Sequence, residues 1–465
     1  MTTNIDFEAA EKKHPELKAY YDNKRLFFIN VFWLVIGGAA ASLGINTAST
    51  TMPLHMAKIG LDAEQISNIM AVRGYLTLPL ALYLAQLSDR WQSKRGRRIP
   101  FLAASIPFTM LGMWLFPYTS GLLSCLMVFT VFNFAINVKY DTYPFIAYDI
   151  ARKKYWGRVN GLNLVFGGVG VWLGQVILMP MMDVRGEKYV YMIASIIVGA
   201  ATLLTVLFSK EPPIRSETKP TYNPIAAIKH VIKVGFANKR HVQLFVANGF
   251  VCGIQMIGVY IPLQAMVNLH MSKGAIGQNV LQYGTIASTI LAFFIGWGID
   301  KIGSSRAVLV GFVLAVLGLI LGFNPANPVV IGTFTTMLKP LMDVFGSNYT
   351  PNIAFVLAAA NICVILSSTF IYWAQHVFTA SCVRREDLAV FGTCNGAVNV
   401  LINTVSLQIC GLLIKRVFGG NYGFAFIIAA AITGIGVPMF FWIERQIKKE
   451  RADYADANPT PLPAE

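Results

Sequence analysis

The sequence predicts an all-α membrane protein with twelve transmembrane helices in two pseudo-symmetric six-helix bundles. Of its 465 residues, 55% are hydrophobic and only 13% are charged. Because a soluble domain averages about 25% charged residues, this chain has too few to cover a water-facing surface. Several stretches of about 20 residues carry almost no charge, which is the length that crosses the hydrocarbon core as a helix.

Twelve predicted spans account for these stretches. They lie near 26–48, 65–87, 101–118, 121–147, 159–180, 189–208, 243–265, 277–298, 307–323, 352–374, 388–413 and 422–443. Prolines interrupt the stretch 324–351, which we interpret as an outer loop with an interfacial helix, because a thirteenth span would invert everything after it. The predicted domains are an N-tail (1–25), a first bundle (26–208), a linker (209–242), a second bundle (243–443) and a C-tail (444–465).

The positions of Lys and Arg predict the orientation. Of the 38 such residues, 29 fall on the side of the N-terminus, seven on the other side and two within spans. This bias predicts an integral protein of a cell inner or plasma membrane with both termini cytoplasmic. It also accounts for the net charge of +15 without nucleic-acid binding. The six cysteines lie in or beside apolar spans with no CxxC pair, so we expect neither disulfides nor a metal site.

Matching loops divide the chain into two halves. Ser88-Asp89-Arg90 and Gly96-Arg97-Arg98, between spans 2 and 3, are echoed by Asp300-Lys301, Gly303 and Arg306 between spans 8 and 9. Duplicated bundles imply a site at their interface and alternating access by rocking. We predict that charged pairs in these loops hold the bundles closed on one side, although basic residues that merely anchor the inner face are the simpler interpretation. The predicted gating residues are Asp89, Arg90, Arg97, Arg98, Asp300 and Arg306.

The segment from Ser88 to Phe101 resembles the 2–3 loop of the glycoside–pentoside–hexuronide symporters, a group within the major facilitator superfamily. It is most similar to the branch of sucrose/proton symporters, and Pro144-Phe145 with Tyr148-Asp149 is similar to the same branch. The resemblance implies the major facilitator fold and secondary transport. Melibiose permeases, which are more distant, carry acidic sodium ligands one and two turns after an arginine resembling Arg73. This sequence has Leu76 and Leu80 there, so protons are the expected coupling ion and sodium is less expected.

One acidic residue, Asp141, lies deep within a predicted span. Asn133, Asn137 and Asp141 repeat at every fourth position, which places them on one helical face. Our hypothesis is that Asp141 carries the coupling proton, that Arg73 in span 2 sets its pKa, and that Lys139 binds substrate or forms an alternative pair. A static ion pair that fixes helix packing and a span boundary that leaves Asp141 in water both stay open.

Neutral amides and aromatic rings recur in both halves. Amides supply paired donors and acceptors for hydroxyl groups, and rings stack on the C–H faces of sugars. For any single amide, an interhelical hydrogen bond is the simpler interpretation. The predicted substrate-binding residues are Asn133, Asn137, Asn248, Gln255, Tyr372, Trp373, Asn399 and Asn403.

These features predict a secondary transporter, working by proton-coupled symport of a sugar or glycoside. Its expected partners are a small carbohydrate and the lipid bilayer, with no cofactor and a monomeric state. One alternative is a carrier or exporter of an anionic, uronate-like solute that uses Arg73 and Lys139. Another is a sensor with a transporter fold that moves nothing. The sequence contains no GxSxG, HExxH or DxD motif, so an enzyme is not expected.

Overall fold

The computed structural model describes residues 15–90, 93, 96–152, 155–212, 233, 235–237, 239–344, 352–381 and 388–457, none of which forms a strand. Two shorter helices, Pro15–Asp22 and Pro328–Val344, accompany twelve long ones. The long helices are α1 (Lys24–Lys58), α2 (Ala63–Arg90), α3 (Ile99–Tyr118), α4 (Leu122–Ile150), α5 (Trp156–Leu173, continued by Gly174–Leu178 and Met179–Arg185), α6 (Glu187–Phe208), α7 (Lys239–Asn268), α8 (Lys273–Ile276, continued by Gly277–Leu281 and Gln282–Ile302), α9 (Ser304–Phe323), α10 (Ile353–Ser381), α11 (Leu388–Arg416) and α12 (Phe424–Ala457).

The twelve long helices match the twelve predicted spans in order. Among the described residues, ten of them contain an apolar stretch long enough to cross a membrane, while parts of α2 and α8 lie outside the residues whose side chains the structure describes. Both of these helices pack against helices of each half, α2 against α4 and α11, and α8 against α5 and α10. Both helices therefore lie where the two halves meet.

Several of the helices contain π turns, and two of these turns precede a proline. In α1 the π turn Thr47–Thr51 is followed by Pro53, and in α5 the π turn Gly174–Leu178 is followed by Pro180. A proline removes an N–H from the helix ladder, and a π turn is one way for the neighbouring backbone to adjust. The helix continues past each proline. As a result, α1 runs ten residues beyond the predicted end of span 1.

The halves meet along two helix pairs, α2·α11 and α5·α8. The internal repeat makes these two pairs equivalent, because α2 corresponds to α8 and α5 corresponds to α11. Small residues permit these close approaches. A Cβ atom added to Gly277 of α8 would overlap the backbone oxygen of Gln175, and one added to Gly168 of α5 would overlap Thr289. Gly170 of α5 similarly lies against the backbone oxygen of Ala39 in α1.

The hydrophobic core is arranged differently toward the two faces of the molecule. We call the face with both chain termini the terminal face, and the other the opposite face. Toward the opposite face, one apolar cluster joins both halves and includes Met52 and Met179 of the first half and Tyr260 and Phe426 of the second. Toward the terminal face there are separate clusters, one of α1 and α3–α6 and one of α7 and α9–α12. The halves are therefore packed together at the opposite face.

The connecting segments agree only partly with the predicted boundaries. Helix Pro328–Val344 lies in the predicted 324–351 loop, where Phe334 packs on Phe355 of α10 with ring centroids 5.5 Å apart. Helix α12 continues to Ala457, into the predicted C-tail. Most of the predicted linker 209–242 lies outside the described residues.

Candidate functional site

The candidate binding site lies beside the crossing of α2 and α11. At this crossing a Cβ atom on Gly74 would overlap Thr404. Nearby, the Ser67 hydroxyl lies 2.8 Å from the Tyr260 hydroxyl, and Tyr260 donates to the Leu407 oxygen at 3.0 Å. Helices α2, α7 and α11 are thus held together across the halves. Arg73 and Asn403 each precede a crossing residue, so the crossing brings these two predicted site residues into the same region.

Arg73 belongs to a polar chain that runs through the first half. Its Nη1 donates to Ser49 Oγ of α1 at 3.0 Å, and its backbone oxygen accepts from Thr77 Oγ1 at 2.7 Å. Thr77 Oγ1 in turn accepts from Asn137 Nδ2 of α4 at 3.0 Å. This chain brings Arg73 and Asn137 together, on the face of α4 that the amide repeat predicts. Asp141 lies one turn further along α4, and its side chain lies outside the described residues.

Lys139 and Asn133 have different surroundings. Lys139 is fully buried, and its Nζ donates to the Val198 oxygen of α6 at 3.4 Å. It therefore lies against α6, whereas Arg73 contacts α1. Asn133 is also fully buried; its Nδ2 donates to the Phe129 oxygen at 2.8 Å, and its Oδ1 has no hydrogen-bond partner among the described residues.

In the second half, the amides of α7 and α11 meet at two levels. Asn248 and Asn395 are buried, with Asn248 Nδ2 donating to Asn395 Oδ1 at 2.9 Å. At the second level Asn403 Nδ2 donates to Gln255 Oε1 at 3.2 Å, and Gln255 is exposed on the 3-10 turn Cys252–Met256. In the described part of the chain, the Oδ1 atoms of Asn399 and Asn403 accept no hydrogen bond. Buried acceptors without donors are rare, which makes these two oxygens candidates for a ligand's hydroxyl groups.

The predicted aromatic residues lie further along α10. Tyr372 and Trp373 are both exposed, and their ring centroids are 6.0 Å apart. Their role in substrate binding stays a prediction.

Two of the predicted gating residues of the first half, Arg97 and Arg98, belong to a network at the terminal face. Asp149 at the end of α4 binds Arg97 Nη2 and Arg98 Nε, each at 2.9 Å. Glu211, which follows α6, accepts the backbone N–H groups of Arg97 and Ile99 at 2.6 and 2.7 Å and so caps the start of α3. Burial raises the pKa of Glu211 above its ordinary value, although these N–H donors act to lower it.

The other predicted gating residues are less defined. The side chains of Asp89, Arg90 and Asp300 lie outside the described residues, and Arg306 is exposed in the first turn of α9. Sequence reasoning missed Glu211 and the pairing of Asp149 with Arg97 and Arg98. The signal for Glu211 is its position directly after span 6, on the same face as the basic 2–3 loop.

A second charged cluster, at the opposite face, was also missed. Glu187 at the start of α6 binds Lys58 Nζ of α1 at 2.8 Å and Lys273 Nζ of α8 at 2.5 Å. His55 Nδ1 lies 2.6 Å from Glu187 Oε2, and Asp183 Oδ2 accepts the N–H of Gly274 at 2.7 Å. Because α8 belongs to the second half, these contacts connect the halves. The available signal was that acids and cations occur together in the short loops of this face.

Lys415 adds a further bridge at the opposite face. Its Nζ lies 3.0 Å from both Asp62 Oδ2 and Glu64 Oε2 at the start of α2. Burial acts to raise the pKa of Asp62, but the N–H of Gln65 and the Lys415 ammonium outweigh it and lower this pKa below its ordinary value. The ion pairs of the opposite face therefore join α6 to α8 and α2 to α11.

Comparisons with known proteins agree with this architecture. The sequence profile described as Major Facilitator Superfamily matches residues 34–372. No curated protein matches the chain. Among solved structures, the nucleoside transporter NupG is similar with a TM-score of 0.68 and 13% identity, over 90% of this chain and 98% of that one.

Two other solved structures have the same fold. A D-xylose–proton symporter gives a TM-score of 0.64 at 13% identity, over 89% of this chain and 97% of that one. A bacterial homologue of the lysosomal transporter Spinster, in an inward-facing and unoccupied conformation, gives 0.63 at 13% identity, over 94% and 98%. Identities this low establish the fold alone. The profile match extends over most of the sequence, and the chain therefore belongs to the Major Facilitator Superfamily.

Proposed function

We propose that the protein is a secondary transporter that couples the uptake of a small polyhydroxylated solute, a sugar or glycoside, to protons. It works by alternating access as a monomer in a cell inner or plasma membrane. With both termini cytoplasmic, the opposite face is the outer one, and the state described above is inward-facing. The resemblance of the 2–3 loop to glycoside–pentoside–hexuronide symporters supports this assignment.

The observation that carries the proposal is the pair of unpartnered amide oxygens on α11. The Oδ1 atoms of Asn399 and Asn403 can each accept a hydrogen bond from a hydroxyl group. The adjacent Gln255 is exposed, and its Oε1 accepts from the Nδ2 of Asn403. A solute rich in hydroxyl groups would supply the missing donors. Two of the similar structures, a D-xylose–proton symporter and a nucleoside transporter, carry polyhydroxylated solutes, which supports the same substrate class.

Proton coupling is assigned to Asp141. The chain from Asn137 through Thr77 to Arg73 runs along the face of α4 on which Asp141 is predicted to lie. An arginine near a buried carboxyl group lowers its pKa while burial raises it, and a proton carrier requires such a balance.

A carrier of anionic solutes is the second candidate, with Arg73 as the cation proposed to bind the solute. Arg73 is half-buried and contacts α1, whereas Lys139 is fully buried against α6. The anionic proposal therefore assigns solute contact to Arg73 alone. Uronate uptake that Arg73→Gln abolishes would favour it over the sugar proposal.

The test is uptake into proteoliposomes under an imposed pH gradient, scanned across neutral sugars, glycosides and uronates. We expect acid-stimulated uptake of a neutral sugar or glycoside, lost in Asp141→Asn with normal expression. Asn403→Ala should raise its KM by about tenfold, since one hydrogen bond to a polar ligand is lost. Gln282→Ala is the matched control, because the Gln282 amide donates to the Gln278 oxygen within α8. Absence of any flux would favour the sensor, and intact proton-driven uptake in Asp141→Asn would refute the coupling assignment.

A further inference from the structure

Both ring nitrogens of His55 face hydrogen-bond acceptors. His55 is buried in the last turn of α1, with Nδ1 2.6 Å from Glu187 Oε2. Its Nε2 lies 3.3 Å from both the backbone oxygen and the Oγ1 of Thr119. The Thr119 hydroxyl donates its proton to the Phe116 oxygen at 2.7 Å, so this Oγ1 also acts as an acceptor toward the ring.

The partner carboxylate is ionised in this arrangement. Two ammonium groups, Lys58 Nζ at 2.8 Å and Lys273 Nζ at 2.5 Å, bind the Oε1 of Glu187. A carboxylate between two cations retains its charge and accepts at both oxygens. Neutral imidazole has a single N–H, so one of its nitrogens would direct a lone pair at an acceptor. Only the doubly protonated ring satisfies both sides.

We propose that His55 is a proton-binding site that is occupied when the opposite face is closed, and that its proton strengthens the bridge between Glu187 and Lys273. Protonated His55 holds Oε2 of Glu187 and leaves Oε1 directed at Lys273 of the second half. Loss of the proton directs a nitrogen lone pair of His55 at an acceptor, either Glu187 or Thr119. Glu187 is then held less firmly, and its ion pair with Lys273 is weakened. We call the cluster of His55, Lys58, Asp183, Glu187 and Lys273 the closure. Its contacts between the halves therefore weaken as the pH rises.

The other titratable groups of this cluster act in both directions on His55. Glu187 and Asp183 favour the proton, and Lys58 and Lys273 oppose it. Tyr191 and Cys125 are buried. The titratable groups in and around the closure come from α1, α4, α5, α6 and α8, and they are Lys58, Cys125, Asp183, Glu187, Tyr191 and Lys273. The proposal concerns the closure itself and stands whichever solute or coupling ion the transporter uses.

The first test is nitrogen-15 NMR of the full chain in lipid nanodiscs with labelled histidine rings. We expect both His55 nitrogens to carry protons while the opposite face is closed, and the exposed His270 of the same face provides a reference signal. His55→Gln assigns the signal. A neutral His55 in a protein whose opposite face is closed would overturn the proposal.

The second test measures the distance between spin labels at Val184→Cys and Val417→Cys, exposed positions of the two halves at the opposite face. As the pH rises from about 5 to about 8, we expect the fraction of molecules with a short distance between the two labels to fall in the doubly labelled protein. His55→Gln should abolish the pH dependence, and His270→Gln, the matched control, should leave it unchanged. A pH dependence that persists in His55→Gln would contradict the proposal.

A third variant keeps His55 in place and serves if His55→Gln folds poorly. Lys58 is largely exposed, and Lys58→Gln removes one cation that opposes the proton on His55. The midpoint of the distance change should therefore move to higher pH. A midpoint that stays in place or moves to lower pH would count against the assignment.

Discussion

The two faces of the molecule differ in what their contacts connect. Toward the opposite face, one hydrophobic cluster contains residues of both halves, while toward the terminal face each half has a cluster of its own. The ion pairs follow the same division. Glu187–Lys273 and Asp62–Lys415 join the halves, whereas Arg97–Asp149 and Arg98–Asp149 join α3 to α4 within the first half.

This difference separates contacts that set the conformation from contacts that stabilise a bundle. A cross-half contact must break when the opposite face opens, so its loss changes the balance between states. A contact within one half persists in both states, so its loss lowers the stability of that half alone. The following predictions use the Val184/Val417 spin-label pair to break or sharpen this division.

The largest effect is expected from Gly411→Val. A Cβ atom at Gly411 of α11 would overlap Ser67 and lie 2.6 Å from the backbone oxygen of Ala63 in α2. Because backbone cannot easily move aside, we expect the closed population to fall by more than about a hundredfold. Gly434→Val is the matched control, since nothing lies within 4 Å of a Cβ atom there. An unchanged short-distance population in Gly411→Val would contradict the packing of α2 on α11.

Glu187→Gln should have the next largest effect. It removes the carboxylate that binds both Lys58 and Lys273, while the amide keeps the shape and one acceptor. The loss of charge-assisted hydrogen bonds is worth about 2 kcal/mol, or roughly thirtyfold in the closed population. The same spin-label distances measure it. A change smaller than that of Lys415→Gln would show that this cluster does not hold the halves together.

Lys415→Gln should reduce the closed population by no more than about fivefold, because exposed ion pairs contribute little. Its Nζ contacts Asp62 and Glu64, but Lys415 and Asp62 are both substantially exposed. High salt should produce a similar loss without the substitution, since screening acts on exposed charges. Arg416→Gln, which removes a longer contact of 3.8 Å to Glu64, provides the comparison. An effect of Lys415→Gln larger than that of Glu187→Gln would reverse the ranking.

Asp149→Asn should leave the opposite-face distance unchanged and lower stability instead. It removes the shared partner of Arg97 and Arg98, and Arg98 is buried. Loss of a largely buried ion-pair partner costs about 3 kcal/mol, which thermal unfolding in detergent would report as a lower Tm. A shift in the Val184/Val417 distances with an unchanged Tm would show that this network also acts on the conformation.

The sequence predicted the fold more completely than the site because the two depend on different information. Apolar length and the Lys and Arg bias predict helices one at a time, and the order of twelve helices followed. The predicted end of span 1 at residue 48 was ten residues short, because a π turn carries α1 past Pro53 to His55 and Lys58. Glu187 and Lys273 were missed because their pairing joins loops 86 residues apart. The amide repeats predicted helical faces, but only the packing shows that Asn403 meets Gln255 and that Lys139 lies against α6.

The central claim, that the halves rock about a midplane site and close one face at a time, has a direct test. Spin labels at Val184→Cys and Val417→Cys report on the opposite face, and labels at Arg158→Cys and Ile302→Cys report on the terminal face. Selective labelling is feasible because the described cysteines are buried or half-buried. Combined with Gly411→Val in lipid nanodiscs, the account predicts that the opposite-face distance lengthens while the terminal-face distance shortens. Distances that lengthen together, or a terminal-face distance that stays fixed while the opposite face opens, would contradict rocking between two bundles.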